Sequence, residues 1–163
     1  MSVKICSALP VVFVCLTSTV AAQHSATPVD AIKVLPGFKV ELLYSVPMEE
    51  QGSWVSMTFD DRGRIIASDQ YGKLYRVTVP DANGSDQVHV EPLDLEIGMA
   101  QGLLYAFDSL YVMVNGGPQD EDGEGYHSGL YRVTDSDGDG ELDTVTLLRG
   151  LEGSGEHGPH AVI

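Results

Sequence analysis

Short runs of alternating hydrophobic and polar residues follow one another along most of the chain, separated by turn-forming Gly, Pro, Asp and Asn. Residues 54–93 contain one group of four runs, and residues 103–148 contain a second group of four. No window of helical length after residue 22 shows the 3.6-residue apolar period of a helix. The pattern therefore predicts an all-β fold. The predicted strands are 38–46, 55–59, 64–68, 74–79, 88–93, 103–107, 110–114, 130–134 and 144–148.

A five-residue phrase occurs once in each group of strands. Leu-Tyr-Arg-Val-Thr occupies residues 74–78 and again residues 130–134, at an offset of 56 residues. In an extended strand, the Tyr and Val of each copy lie on one face, while Leu, Arg and Thr lie on the other. The same phrase in the same phase indicates a repeated structural unit.

The repeated unit favours a β-propeller over a β-sandwich, because blades have four strands and recur about every 40 to 55 residues. A blade buries both faces against its neighbours, which agrees with the nearly continuous apolar run Leu110–Val114. A third unit is predicted to begin at 160–163. Two units and part of a third cannot close a ring. We therefore expect residues 37–163 to be the N-terminal part of a longer propeller domain that is truncated at its C-terminus.

The first residues have the pattern of an export signal. Lys4 precedes a mostly apolar run from Ile5 to Leu16, and Val20-Ala21-Ala22 offers small residues before a cleavage site. The run is too short for a transmembrane helix. The sequence thus predicts a signal peptide at 1–22, a linker at 23–36 and an exported, periplasmic or extracellular protein without a transmembrane segment. Both cysteines lie inside the signal, so the mature chain would have no disulfide.

The chain is strongly acidic, with 24 Asp and Glu residues against 9 Lys and Arg residues and a formal net charge of −15. Such a charge repels polyanions. It therefore argues against nucleic acid and anionic membrane surfaces as partners.

The densest group of acidic residues follows the second copy of the repeated phrase. Alternate carboxylates on a tight glycine-bearing turn can converge on a hard cation, and calcium is the cation that this spacing favours. Thr146 stands where an EF-hand loop has its bidentate Glu, so the sequence predicts a calcium-binding turn between strands rather than an EF-hand. The alternative is a solvated acidic turn, since turns also select Asp and Gly. The predicted ligands are Asp135, Asp137, Asp139, Glu141 and Asp143.

Two histidines, His157 and His160, lie on the loop before the third predicted unit. In a propeller this loop faces the central funnel, where ligands bind, and histidine exchanges a proton near neutral pH. The alternative is that both are ordinary loop residues.

Three segments resemble the N-terminal propeller of the putative membrane-bound dehydrogenases of planctomycete-type bacteria, which are related to the glucose and sorbosone dehydrogenases that use pyrroloquinoline quinone (PQQ). They are residues 36–42, the acidic turn and residues 155–161. The resemblance implies a six-bladed propeller that binds PQQ and a sugar or alcohol substrate. It also implies His157 as the general base, with His160 as the second choice, and a cytochrome as electron acceptor. The cofactor-contacting residues of the family belong mostly to later blades, so the acidic turn would be a separate structural calcium site.

A second function is compatible with the same fold, because a fold does not determine an activity. The chain would then be a non-catalytic, extracytoplasmic propeller module that binds a glycan or a protein and is stabilised by calcium.

Overall fold

The computed structural model of the protein describes residues 26–80, 87–116, 127–153, 155 and 158–163. The eight strands in these residues form two four-stranded antiparallel sheets, in the orders β1-β2-β3-β4 and β5-β6-β7-β8. Each sheet is therefore a simple meander, and the all-β prediction is confirmed. The strands are β1 (Trp54–Phe59), β2 (Ile65–Asp69), β3 (Leu74–Thr78), β4 (His89–Pro92), β5 (Ala100–Ala106), β6 (Ser109–Val114), β7 (Gly129–Thr134) and β8 (Thr144–Gly150).

The segment before the first sheet is not a strand, so the prediction for residues 38–46 is wrong. A strand needs a neighbour that completes its hydrogen-bond ladder, whereas this segment pairs with no strand of the described residues and forms one wall of a groove on the first sheet. The Tyr44 ring stacks on Trp54 with 5.9 Å between ring centroids. The described residues before β1 contain a 3₁₀ turn (Val29–Ala31) and one short α-helix, α1 (Met48–Gln51). Residues 160–163, the predicted start of a third unit, also form no strand.

The repeated phrase occupies the third strand of both sheets, β3 and β7, in the same register. Tyr75 pairs with Ala67, as Tyr131 pairs with Val112. The repeated phrase therefore occupies the same strand position in both sheets, and its side chains alternate between the two faces in the same way.

The two sheets pack face to face around one apolar core. Leu103, Val112 and Val133 belong to the face of the second sheet that covers the first, and Val112 and Val133 are completely buried. Strand β1 of the first sheet runs against β5 of the second. Removal of this apolar surface from water is the main term that holds the sheets together.

Polar contacts fix the position of one sheet on the other. The hydroxyl of the buried Ser68 donates to the carbonyl oxygen of Ala100 at 2.9 Å. The Tyr105 N–H donates to the Thr58 hydroxyl at 3.3 Å. Because buried polar groups need partners, these bonds favour one alignment of the sheets.

The first hairpin of each sheet turns differently. Between β1 and β2, the buried carboxylate of Asp60 accepts bonds from the backbone N–H groups of Arg62 (3.0 Å) and Arg64 (2.8 Å). Between β5 and β6, Phe107 and Asp108 both have φ of 52°. Two central residues with positive φ form the type I′ geometry that suits a two-residue hairpin.

The predicted signal peptide, with both cysteines, lies outside the described residues. In the part of the chain that the structure describes, no helix has the length and apolar character needed to cross a membrane.

Candidate functional site

The acidic turn forms a closed loop between β7 and β8. Its ends are joined by a backbone bond in which the Asp143 N–H donates to the Thr134 carbonyl oxygen at 3.0 Å. Within the loop, Gly138 and Gly140 have φ of 81° and 94°. Such angles are rarely adopted by residues with a side chain, so the two glycines allow the chain to fold back on itself.

Three carboxylates converge at this loop. Asp135, Asp137 and Asp143 each offer one oxygen, and these oxygens all lie within 4.8 Å of one another. Asp135 is half-buried and the other two side chains are exposed. Carboxylate oxygens gathered on one side of a loop are the donors that a hard divalent cation prefers.

Backbone N–H groups hold Asp135 in place. One of its carboxylate oxygens accepts from Gly138 at 2.6 Å and the other from Gly140 at 2.7 Å. Desolvation raises the pKa of this carboxyl, but the bonds from Gly140, Gly138 and Asp137 outweigh it and hold the pKa below its ordinary value. Asp135 is therefore a carboxylate at neutral pH and is already oriented.

Asp143 is fixed from the opposite end of the loop. Its Oδ2 accepts a bond from the Ser136 hydroxyl at 2.9 Å, and its Oδ1 accepts from the Ser136 N–H at 3.1 Å. Side-chain bonds from Thr144 and then Ser136 lower the pKa of the Asp143 carboxyl. Two of the three converging groups are thus stabilised in their charged form.

The other two predicted ligands have different positions. Asp139 lies outside the group of three, and its Oδ1 accepts from the Glu141 N–H at 2.8 Å. Glu141 turns away to the first sheet, where its carboxylate accepts a bond from the Arg76 guanidinium. The structure therefore brings together Asp135, Asp137 and Asp143, and it does not bring Asp139 or Glu141 to them.

The three carboxylates have the chemistry that calcium prefers in its ligands. Calcium takes about six to eight oxygen ligands, so three carboxylates would supply part of such a set and water or carbonyl oxygens the rest. A carboxylate oxygen that accepts one N–H bond keeps a second lone pair for a metal. The bonds to Asp135 and Asp143 therefore orient these ligands and do not block them.

A small polar cavity of about 60 Å³ lies beside this loop, between the two sheets. Its walls include Asp135 and Gly140 from the loop and Arg62 and Arg76 from the first sheet. A Cβ atom on Gly140 would lie 2.2 Å from the Arg62 guanidinium, which shows how closely the loop and the first sheet approach. The acidic loop thus contacts both sheets.

The two arginines were not predicted as part of the site. Arg76 is 65 residues before Glu141 in the chain, and no local spacing links the two. The repeated phrase gave the only signal, since it places Arg76 on a defined face of β3. The contact itself depends on how the sheets pack.

The predicted catalytic histidines are only partly described. His157, the first choice, lies outside the described residues. His160 is exposed, and its Nδ1 lies within hydrogen-bond distance of the Gly158 carbonyl oxygen. A Cβ atom on Gly102 would lie 2.3 Å from the His160 carbonyl oxygen, so this segment runs directly over β5. Among the described residues, His160 belongs to no group of metal-ligating side chains.

Comparison of the chain with protein-family models, with curated proteins and with solved structures found no match.

Proposed function

We propose that the protein is an exported β-propeller-type module that binds a glycan or protein partner and uses calcium to stabilise its structure. The proposed calcium binding rests on the convergence of Asp135, Asp137 and Asp143, whose carboxylate oxygens lie within 4.8 Å of one another. The tandem four-stranded meanders, packed face to face with β1 against β5, support a propeller arrangement.

The proposed role of calcium is structural because of where the loop lies. The loop is held to β7 and β8 by its own ends, and it reaches the first sheet through Glu141 and Gly140. A cation at the three carboxylates would remove their mutual repulsion and keep the loop in the shape that makes these contacts. Calcium would therefore stabilise the packing of both sheets.

The test is a calcium titration followed by thermal unfolding. A ligand that binds only the folded state stabilises it by about 2.7 kcal/mol at a concentration of 100 times its dissociation constant. We expect saturating calcium to raise the melting temperature, and Asp137→Asn to abolish this increase. An unchanged melting temperature of the native chain with calcium would contradict the proposal.

Asp139→Asn is a matched control. Each of the two side chains accepts a bond from a backbone N–H two residues later, Asp137 from Asp139 at 3.1 Å and Asp139 from Glu141 at 2.8 Å. Asparagine can keep this bond in both variants. The two substitutions therefore have the same effect on the turn, and only Asp137→Asn removes a converging carboxylate. Equal loss of calcium response in both variants would contradict the assignment of the ligands.

A second candidate function is a PQQ-dependent sugar or alcohol dehydrogenase, for which the resemblance gives the main support. The position of the exposed His160 over β5 favours it, since a general base must be accessible to substrate. PQQ is a tricarboxylate and needs cationic partners, which the resemblance assigns mostly to later blades of the propeller.

Dye reduction across a panel of aldoses and alcohols, with the chain supplied with PQQ and calcium, tests this second function. Activity that is lost in both His157→Ala and His160→Ala, or in one of them, would support it. Absence of turnover together with saturable glycan binding would favour the binding module.

A further inference from the structure

The two sheets expose faces that are equivalent to the faces that they bury against each other. In the first sheet, Met57 and Phe59 occupy the register positions that Leu103 and Tyr105 occupy in the second. Met57 is 67% exposed and Phe59 is 61% exposed, whereas Leu103 is 7% exposed. The difference arises because the first sheet covers Leu103 and no sheet in the described part of the chain covers Met57.

The exposed face of the first sheet borders an apolar groove of about 550 Å³. One wall is the segment 41–46 and the other is formed by strands β1, β2 and β3, including Met57 and Val55. Large apolar side chains that stay in water on one contiguous surface mark a site of interaction. We call this surface the groove face.

The second sheet has a partly exposed face on its other side, where Leu104 and Tyr111 are half-buried and Arg132 is exposed. Leu104, Tyr111 and Arg132 lie on it in one cross-strand row, at the positions that Thr58, Ile66 and Arg76 occupy in the first sheet. Arg76 is 4% exposed because the second sheet covers it, and Arg132, which has the same place in the repeated phrase, is exposed. We call this surface the Arg132 face.

We propose that copies of this chain associate head to tail, with the groove face of one copy packed on the Arg132 face of the next. The interface between the two sheets of one chain is the template. It joins the Arg76 side of the first sheet, which is equivalent to the Arg132 face, to the Leu103 side of the second sheet, which is equivalent to the groove face. An interface of two different faces is heterologous, so it leaves one free face at each end and closes only in a ring. This proposal does not depend on calcium or on a catalytic role.

The negative net charge of each copy opposes this association, so association should depend on the salt concentration. Each copy has a formal net charge of −15, so two copies repel one another at low ionic strength. Salt at about 0.15 M reduces the Debye length to about 8 Å, and it leaves apolar attraction intact. We expect association to strengthen as salt increases.

Sedimentation velocity of the purified chain over a range of protein and salt concentrations is the first test. We expect the weight-average sedimentation coefficient to rise with protein concentration, and to rise further with salt. A monomer at every concentration and salt level would overturn the proposal.

Variants then identify the faces. Met57→Lys places a charge on the groove face, and it should weaken association by at least about tenfold, as loss of a central apolar contact does. The substitution also makes the net charge less negative. Weaker general repulsion between copies would by itself strengthen association, so a loss of association cannot come from the change in net charge. Phe107→Lys makes the same change of charge on an exposed aromatic residue at the tip of a hairpin, and it should leave association unchanged. Equal effects of the two variants would overturn the proposal.

A mixing experiment tests the head-to-tail arrangement. Tyr111→Lys blocks the Arg132 face, with Arg132→Glu as a second variant if the first unfolds, and circular dichroism confirms folding. Neither Met57→Lys nor the variant of the Arg132 face should associate alone, but a mixture should form 1:1 dimers, because each partner keeps one of the two faces intact. Dimers of either variant alone, or no dimers in the mixture, would overturn the arrangement.

Discussion

The Arg76 guanidinium in β3 of the first sheet donates a hydrogen bond to the Glu141 carboxylate in the acidic loop of the second. A second carboxylate, Glu91 in β4, lies 3.3 Å from the same guanidinium nitrogen. Arg76 is almost fully buried, and its charge needs these partners. The pair therefore links the packing of the sheets to the conformation of the acidic loop.

The substitution Arg76→Met should lower the free energy of unfolding by about 1 to 3 kcal/mol. The carboxylates that lose their partner are partly exposed, so they return to water and the cost stays below that of a fully buried pair. Chemical denaturation measures the change. Lys73→Met, the same kind of substitution at an exposed position before the same strand, should stay within about 0.5 kcal/mol of the native chain. Equal effects of the two variants would contradict the structural role of Arg76.

The substitution Glu141→Gln should cost less than Arg76→Met, at most about 1 kcal/mol, because the Glu141 side chain is 56% exposed and screened by solvent. A double-mutant cycle with Arg76→Met measures the coupling between the two side chains. Additive effects of the two substitutions would show that the contact contributes no net stability.

Stability should fall in acid through Asp135. Its pKa in the folded chain lies below the ordinary value of 3.8, so folding favours the charged form. The stabilisation is therefore present above the unfolded-state pKa, and it is lost as the pH falls through the lower folded-state pKa. Denaturation midpoints at pH 7, 5, 4 and 3 should decrease less steeply below about pH 4 for Asp135→Asn than for the native chain. Parallel curves would contradict the prediction.

The hairpin between β5 and β6 should gain stability from Phe107→Asn. Phe107 has φ of 52°, a strained conformation for this residue, and its side chain is mostly in water. No packing contact therefore offsets the strain. Asparagine tolerates this region, and the expected gain is about 1 kcal/mol. Tyr71→Asn, the same type of change at an exposed position without positive φ, should have little effect on the melting temperature. A loss of stability in Phe107→Asn would contradict this account of the turn.

Alanine substitutions at Gly138 and Gly140 separate backbone strain from contact. Both residues have positive φ, and alanine in such a conformation costs about 1 to 2 kcal/mol. A Cβ atom on Gly138 would meet no atom within 4 Å, whereas one on Gly140 would displace the Arg62 guanidinium. Gly140→Ala should therefore be the more destabilising variant in thermal unfolding. The reverse order would show that Arg62 moves aside without cost.

The strands themselves follow from local sequence. The alternation of apolar and polar residues predicted eight of them correctly, and the phrase shared by β3 and β7 predicted a repeated structural unit, which the structure shows as two sheets with equivalent registers. These features depend on the two-residue period of a strand, which is a property of neighbouring residues. The same two-residue period led to the wrong prediction of a strand at residues 38–46, because alternation does not show whether a partner strand is available.

The acidic loop was also visible in the sequence, because Asp residues at alternate positions and glycines in a tight turn are local features. Which carboxylates converge was decided by the folded chain. Glu141 is in the right place along the sequence for a ligand, but the packing of the sheets brings Arg76 within reach of it.

The sequence by itself determined the all-β class, the eight strands, the repeat and the acidic turn, since each depends on residues a few positions apart. Only the tertiary structure decided which residues of this turn converge, and which faces of the sheets are buried. Burial is a property of the packed pair of sheets. For this reason Arg76 and Arg132, identical in local sequence, lie in different environments, one between the sheets and one in water.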